Sequence, residues 1–119
     1  MPKKSSDHDR LTLLQGTLEL LVLRTLAWGP LHGHGIAVAI ERESERELLV
    51  DHGSLYPALQ RLERSGAIAA EWGESAATGR RARLYKLTPE GRRQLRRETS
   101  RWQRLLTAMH RVLKPSESQ

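Results

Sequence analysis

The sequence predicts a mainly α-helical protein carrying one small β-hairpin, and three observations lead there. Apolar residues recur at helical spacing in four segments separated by helix starts and stops. Strand-like alternation is confined to one stretch, around residues 68–87. Positive charge is gathered in the second half: residues 1–52 hold six basic and eight acidic side chains, residues 53–113 hold thirteen and five, and the chain as a whole is +6. With 119 residues, 38% of them hydrophobic, it builds one small core. That excludes an enzyme with separate cofactor and substrate lobes and makes help from a partner subunit an expectation.

Residues 1–11 read as a polar, disordered arm. It contains no signal-peptide core, no apolar run in the chain approaches the ~18 residues of a membrane span, and a cytoplasmic location is expected. Cysteine is absent, which removes disulfides, thiolate zinc sites and a cysteine nucleophile.

Thr17 is a candidate cap for a first helix. Leu18, Leu20, Leu21, Val22, Leu23 and Leu26 make that helix apolar almost all round, the mark of a buried central element. Trp28-Gly29-Pro30 ends it. A second helix starts near His34 or Gly35, carries Ile36, Val38 and Ile40, and runs into Glu41, Glu43, Glu45 and Glu47, a solvated acidic end. The turn Asp51-His52-Gly53-Ser54 opens a third helix, which reaches Ser65 and stops at Gly66 in the left-handed region.

On a helical wheel the third helix gathers Leu55, Leu59 and Leu62 into one apolar stripe. Gln60, Arg64, Pro57, Arg61 and Ser54 lie opposite, with Tyr56 on the flank. Two guanidiniums, an amide and a hydroxyl are the donors and acceptors that read base edges and phosphates. An ordinary amphipathic surface helix has the same pattern, and the segment C-terminal to it decides between the two. Ile68, Ala70 and Trp72 alternate as in a strand, Gly73 to Gly79 is small and polar, and Arg80, Arg81 and Arg83 lead into the strand Leu84–Leu87. Three helices, the third with a basic outer face, succeeded by a hairpin with a basic tip, are the order of a winged helix-turn-helix over residues 12–88.

Thr88-Pro89-Glu90 starts a last helix over residues 89–114, with Thr as cap, Pro in the first position and Glu at the positive end of the dipole. Leu95, Trp102, Leu105, Met109 and Val112 recur at heptad spacing, interrupted by Glu98, with Leu106 beside them. At about 37 Å this helix is too long for a small domain to cover. Its seam is expected to pair with a second copy, the alternative being that it folds back on its own domain. Pro115 onward reads as a flexible tail.

Four stretches resemble the PadR-type transcriptional regulators, and among them the short members with a single C-terminal helix. They are Gly16–Leu23, the turn Gly29-Pro30-Leu31-His32-Gly33, the run Gly53-Ser54-Leu55-Tyr56-Pro57-Ala58-Leu59-Gln60-Arg61-Leu62-Glu63, and Tyr85-Lys86-Leu87-Thr88-Pro89-Glu90-Gly91. The resemblance implies a homodimeric winged-helix repressor of a neighbouring transporter or stress gene, which leaves its double-stranded DNA operator when a small molecule binds. It assigns Ser54, Tyr56 and Pro57 to the start of the recognition helix and Arg80, Arg81 and Arg83 to the wing. It also sets Trp102 where some drug-responsive members stack flat aromatic effectors across the dimer axis, although a Trp at such a seam equally serves as packing. The sequence departs from the family at His34, where a Tyr is common, so an imidazole would have to make that contact with phosphate.

Other chemistry finds little footing. His32, His34 and His52 lack recognisable zinc-site spacing, no nucleophile or phosphate-loop motif is present, and Glu71 and Glu74 read as solvated charges. Neither an enzyme nor a cofactor is expected. The competing class is a winged-helix module whose basic face meets an acidic protein.

Overall fold

The computed structural model describes residues 11–12, 15–74 and 78–115. In chain order these form β1 (Leu11–Thr12), α1 (Gln15–Leu26), β2 (Leu31–His32), α2 (Gly33–Glu43), β3 (Leu48–Leu49), α3 (His52–Arg64), β4 (Ile68–Glu74), β5 (Arg81–Leu87) and α4 (Pro89–Leu113). The expected class is what is seen: helices dominate, and one antiparallel hairpin lies between α3 and α4. The expected arm and tail fall outside the described residues, except that Leu11 belongs to β1 and Pro115 is described.

The core forms where α1 is enclosed by the other helices and the hairpin. Leu18, Val22, Leu23 and Leu26 of α1 meet Ile36 and Ile40 of α2, the stripe Leu55, Leu59 and Leu62 of α3, and Ile68 and Tyr85 of the hairpin, all buried. Removing these side chains from water is the main force holding α3 and the hairpin at a fixed angle to each other. Helix α1 begins at Gln15, so Thr17 lies inside its first turn and is not its cap. A cap preference of about 1 kcal/mol is too small to set the boundary alone.

Helix α2 starts at Gly33, with the extended residue His32 as its cap position, and stops at Glu43. Glu45 and Glu47 are therefore off the helix. Glu45 and Arg46 instead occupy the left-handed region, at φ 54° and 67°, an unfavourable conformation for side chains with a Cβ. Local hydrogen bonds hold the turn: Ser44 Oγ accepts from the Leu48 amide at 3.1 Å, and the Glu41 carboxylate accepts from the Val50 amide at 3.1 Å. Glu41 is thus a tie between α2 and the approach to α3, not a merely solvated charge.

Asp51 caps α3, accepting from the Gly53 amide at 3.2 Å, and Gly66 takes a positive φ of 84° just past its end. Strand β5 is the centre of a three-stranded sheet, pairing antiparallel with β4 on one side and with β2 on the other, Leu31 opposite Tyr85 and His32 opposite Leu84. The two-residue strand β2 thereby ties the start of α2 to the wing. A second small sheet pairs β1 and β3 in parallel, Leu11 opposite Leu48.

Thr88 fixes the departure of α4. Its hydroxyl donates to the Gly66 and Ala67 carbonyls at 2.6 and 2.9 Å and accepts from the Gly91 amide at 3.0 Å. Glu90, one turn before Arg93, is held below the usual carboxylate range by hydrogen bonding to that guanidinium. From there α4 leaves the domain: Leu95 is buried in the chain's own core, Trp102 is half-buried against it, and the helix is exposed beyond.

Candidate nucleic-acid interface

Helix α3, the first turn of α2 and the hairpin converge on one groove of about 380 Å³, lined by His32, Gly33, His34, Tyr56, Gln60, Trp72, Ala82, Arg83 and Tyr85. Each wall has a local cause. The apolar stripe of α3 is spent on the core, so Tyr56 and Gln60 are turned outward and exposed. The pairing of β2 with β5 brings His32 and His34 beside the hairpin. The approach of Tyr56 to α2 depends on Gly33, where a Cβ would stand 2.8 Å from the phenol oxygen. Tyr85 closes the floor; burial pushes its phenol up from the ordinary value near 10, with the positive charge of Arg83 working against that.

Along the rim, aromatic rings form a row. His34 stacks on His52 at 5.8 Å between centroids, His52 stacks on Tyr56 at 6.0 Å, and His32 lies 6.3 Å from His34 in a tilted arrangement. His52, distant in sequence, is therefore a neighbour of the His32 and His34 imidazoles. No group of three or more His, Asp or Glu among the described residues is arranged to hold a metal ion.

The groove brings together four of the residues expected from sequence: His34, Tyr56, Gln60 and Arg83. The others divide. Ser54 and Pro57 are exposed on the first turns of α3, where Ser54 Oγ donates to the Asp51 carboxylate at 3.4 Å. Arg64 and Arg80 are exposed, and among the described residues neither has an ion-pair partner. Arg81 lies over the Trp72 ring, 5.4 Å from its centroid.

Two arginines expected to face outward are engaged by the protein itself. Arg61 donates through Nε to Glu19 of α1 at 2.6 Å, and Arg83 donates through Nη2 to Glu63 at 2.8 Å. Wheel position misses the first pair because a long side chain on the edge of a helix can turn toward a neighbouring element. Sequence reasoning also misses Trp72. Its alternation with Ile68 and Ala70 marks it as inward, but the strand outruns the core there and leaves the indole 62% exposed.

A second cleft, of about 570 Å³, lies between α1 and α4 and is lined by Gly16, Thr17, Glu98, Arg101, Trp102 and Leu105. Beyond it Leu105, Leu106, Met109, Val112 and Leu113 are exposed along α4. Among the described residues no helix is long and apolar enough to cross a membrane.

Residues 22–97 match the model of the transcriptional regulator PadR-like family. The transcriptional regulator Rv3488 of Mycobacterium tuberculosis is 33% identical over 66% of this chain and 68% of its own length. A 37.1 kDa protein of transposon TN4556 from Streptomyces fradiae is 40% identical over 83% of this chain, which spans 27% of that longer protein. The crystal structure of a PadR family transcription regulator from Clostridium difficile R20291 superposes with a TM-score of 0.70 at 26% identity, covering 82% of this chain and 98% of the other. The three-helix order, the hairpin and the trailing helix, together with these likenesses, identify the chain as a member of the PadR-like family of transcriptional regulators.

Proposed function

We propose that the protein is a homodimeric, sequence-specific DNA-binding repressor of a nearby transporter or stress gene, with α3 set into the major groove and the hairpin along the flanking backbone. The observation that carries this reading is the side-by-side placement of the outward α3 groups Tyr56 and Gln60 and the arginine-bearing hairpin across one open groove, with Arg64 exposed one turn further along α3. Phosphate contacts set register and base-edge contacts select sequence, and this surface offers both kinds of group. Ser54, Tyr56, Pro57 and His34 at the front of α3 are suited to the first backbone contacts, and Arg80 and Arg81 to those of the wing.

Dimerisation through α4 is supported by the exposed apolar side chains Leu105, Leu106, Met109 and Val112, which nothing in the described chain covers. Paired about a two-fold axis, two such helices would set two α3 helices on successive turns of one duplex face, which calls for a pseudo-palindromic site. The cleft beside Trp102 is the place for a flat aromatic effector that loosens DNA binding. Repression is then a cytoplasmic function, with no cofactor and no catalysis.

Fluorescence anisotropy with the duplex immediately upstream of the protein's own gene tests the reading. A repressor binds it more tightly than scrambled duplex, and log affinity falls with log salt at about −0.9 per phosphate neutralised. Equal, weak binding to both duplexes, with tight binding to an acidic protein, would instead make the basic face a protein-docking surface.

A further inference from the structure

Trp72 is the one large aromatic side chain of the hairpin that is turned toward α3 yet left mostly in water, at 62% exposure. The strand register explains its neighbours. Trp72 stands opposite Arg83, and the next pair toward the tip on the same face is Glu74 opposite Arg81. Arg81 turns back over the indole, with its guanidinium carbon 5.4 Å from the ring centroid. Among the described residues it makes no ion pair, although Glu74 is its cross-strand partner, so the ring and not a carboxylate sets its position. Across the groove the facing groups are His34, Tyr56 and Gln60, donors and acceptors with no carboxylate among them.

A groove with a flat apolar wall, a stacked cation at its lip and neutral hydrogen-bonding groups opposite is matched by a sugar–phosphate strand. Deoxyribose edges are apolar, the phosphates are anionic, and an indole N–H is itself a donor. A guanidinium held against an aromatic face keeps its N–H groups directed outward along the ring plane. We infer that Trp72 is a DNA-seating residue: one strand of the duplex lies in the groove between α3 and the wing, the indole packs on its deoxyribose edges, and the stacked Arg81 is held toward the adjacent phosphate.

This inference rests on the DNA-binding reading but needs no operator, because sugar and phosphate are the same in every sequence. Random-sequence duplex at low salt is therefore the probe. In a Trp28→Phe/Trp102→Phe variant, Trp72 is the sole indole. Its emission should change in step with the anisotropy of labelled duplex and level off at the same DNA concentration. Trp72→Ala should weaken operator and random duplex alike, by roughly tenfold, while Trp72→Phe retains most of the affinity. Arg81→Ala should make the salt slope shallower by about 0.9, and adding it to Trp72→Ala should cost less than it does alone, because the arginine is already released.

Thermal melts check that each variant is folded. Anisotropy that saturates while Trp72 emission stays constant would overturn the seating role and leave DNA binding intact. A Trp72→Ala variant that loses operator preference but keeps its affinity for random duplex would overturn it too. No anisotropy change with any duplex, even at low salt, would sink this inference and the repressor reading together.

Discussion

Arg61 of α3 donates through Nε to a carboxylate oxygen of Glu19 on α1 at 2.6 Å, in a pair whose side chains are only 33% and 19% exposed. Partial burial sets this contact apart from the other ion pairs among the described residues. Surface pairs contribute about 0–1 kcal/mol, whereas removing one partner from water-poor surroundings strands the other charge. The pair also ties α3, already oriented by its buried stripe, to α1 at the centre of the core. Arg61 is therefore in the first place a positioning residue, with its terminal nitrogens left over for any contact with DNA.

Arg61→Ala should accordingly destabilise the fold by about 1–2 kcal/mol, a fall of several degrees in melting temperature for a domain of this size. Glu19→Gln should do nearly the same, and the double variant should cost less than the sum. Chemical denaturation of the three variants checks this. Unchanged stability combined with lost operator preference would assign Arg61 to a base edge instead.

Arg83 poses the opposite case. Its partner Glu63 lies 2.8 Å away in a more exposed pair, at 44% and 34%, so the contact is cheap to give up when a phosphate competes. Glu63→Gln removes both the competitor and a negative charge beside Arg83. The expected result is tighter binding to operator and random duplex alike, with a salt slope steeper by up to about 0.9 and little change in stability. Weaker binding would mean that Arg83 serves DNA best while braced by Glu63.

The parts of this arrangement that are legible in sequence are those with a long period or a strong local signal. The α3 stripe Leu55, Leu59 and Leu62 repeats over two turns, and Thr88-Pro89-Glu90 encodes its helix start in three adjacent residues. Strands β1, β2 and β3 have two residues each, too few to alternate, and β2 exists only because β5 offers it an edge. The ring row His34, His52 and Tyr56 is hidden for a related reason: it is assembled where the starts of two separate helices, α2 and α3, come together. Leu95, Trp102 and Met109 share one heptad register, yet Leu95 is buried in its own core while Met109 is exposed. A linear pattern does not report where along a helix the domain beneath it ends.

Gly33 sets the position of Tyr56. A Cβ there would come within 2.8 Å of Tyr56 Cε1 and its phenol oxygen, so Gly33→Ala must push the ring off its stack with His52. Tyr56 is exposed and Gly33 lies within the helix, where alanine has the higher propensity, so the loss of stability should stay under about 1 kcal/mol. Affinity for DNA should fall by at least as much as in Tyr56→Phe, which removes only the hydroxyl. Matched titrations of the two variants test this, and full affinity in Gly33→Ala would take Tyr56 out of the interface.

The exposed end of α4 separates the two roles open to Trp102. Met109, Val112 and Leu106 are 46%, 82% and 54% exposed, and burying such side chains against a second copy is worth about 25 cal/mol per Å² of apolar surface. A charge placed among them would have to be buried unpaired. Met109→Glu should therefore shift the protein to monomer in sedimentation or light scattering at micromolar concentration, and DNA affinity should fall because two half-sites no longer bind as one. Trp102 is different, since it already packs on its own domain and lines the cleft between α1 and α4. If it serves as an effector wall, Trp102→Ala should keep the dimer while abolishing fluorescence quenching by planar aromatic compounds. If its work is packing, the same variant should lose the dimer or several degrees of melting temperature, and compounds that quench the wild-type protein would be acting on Trp28 or Trp72.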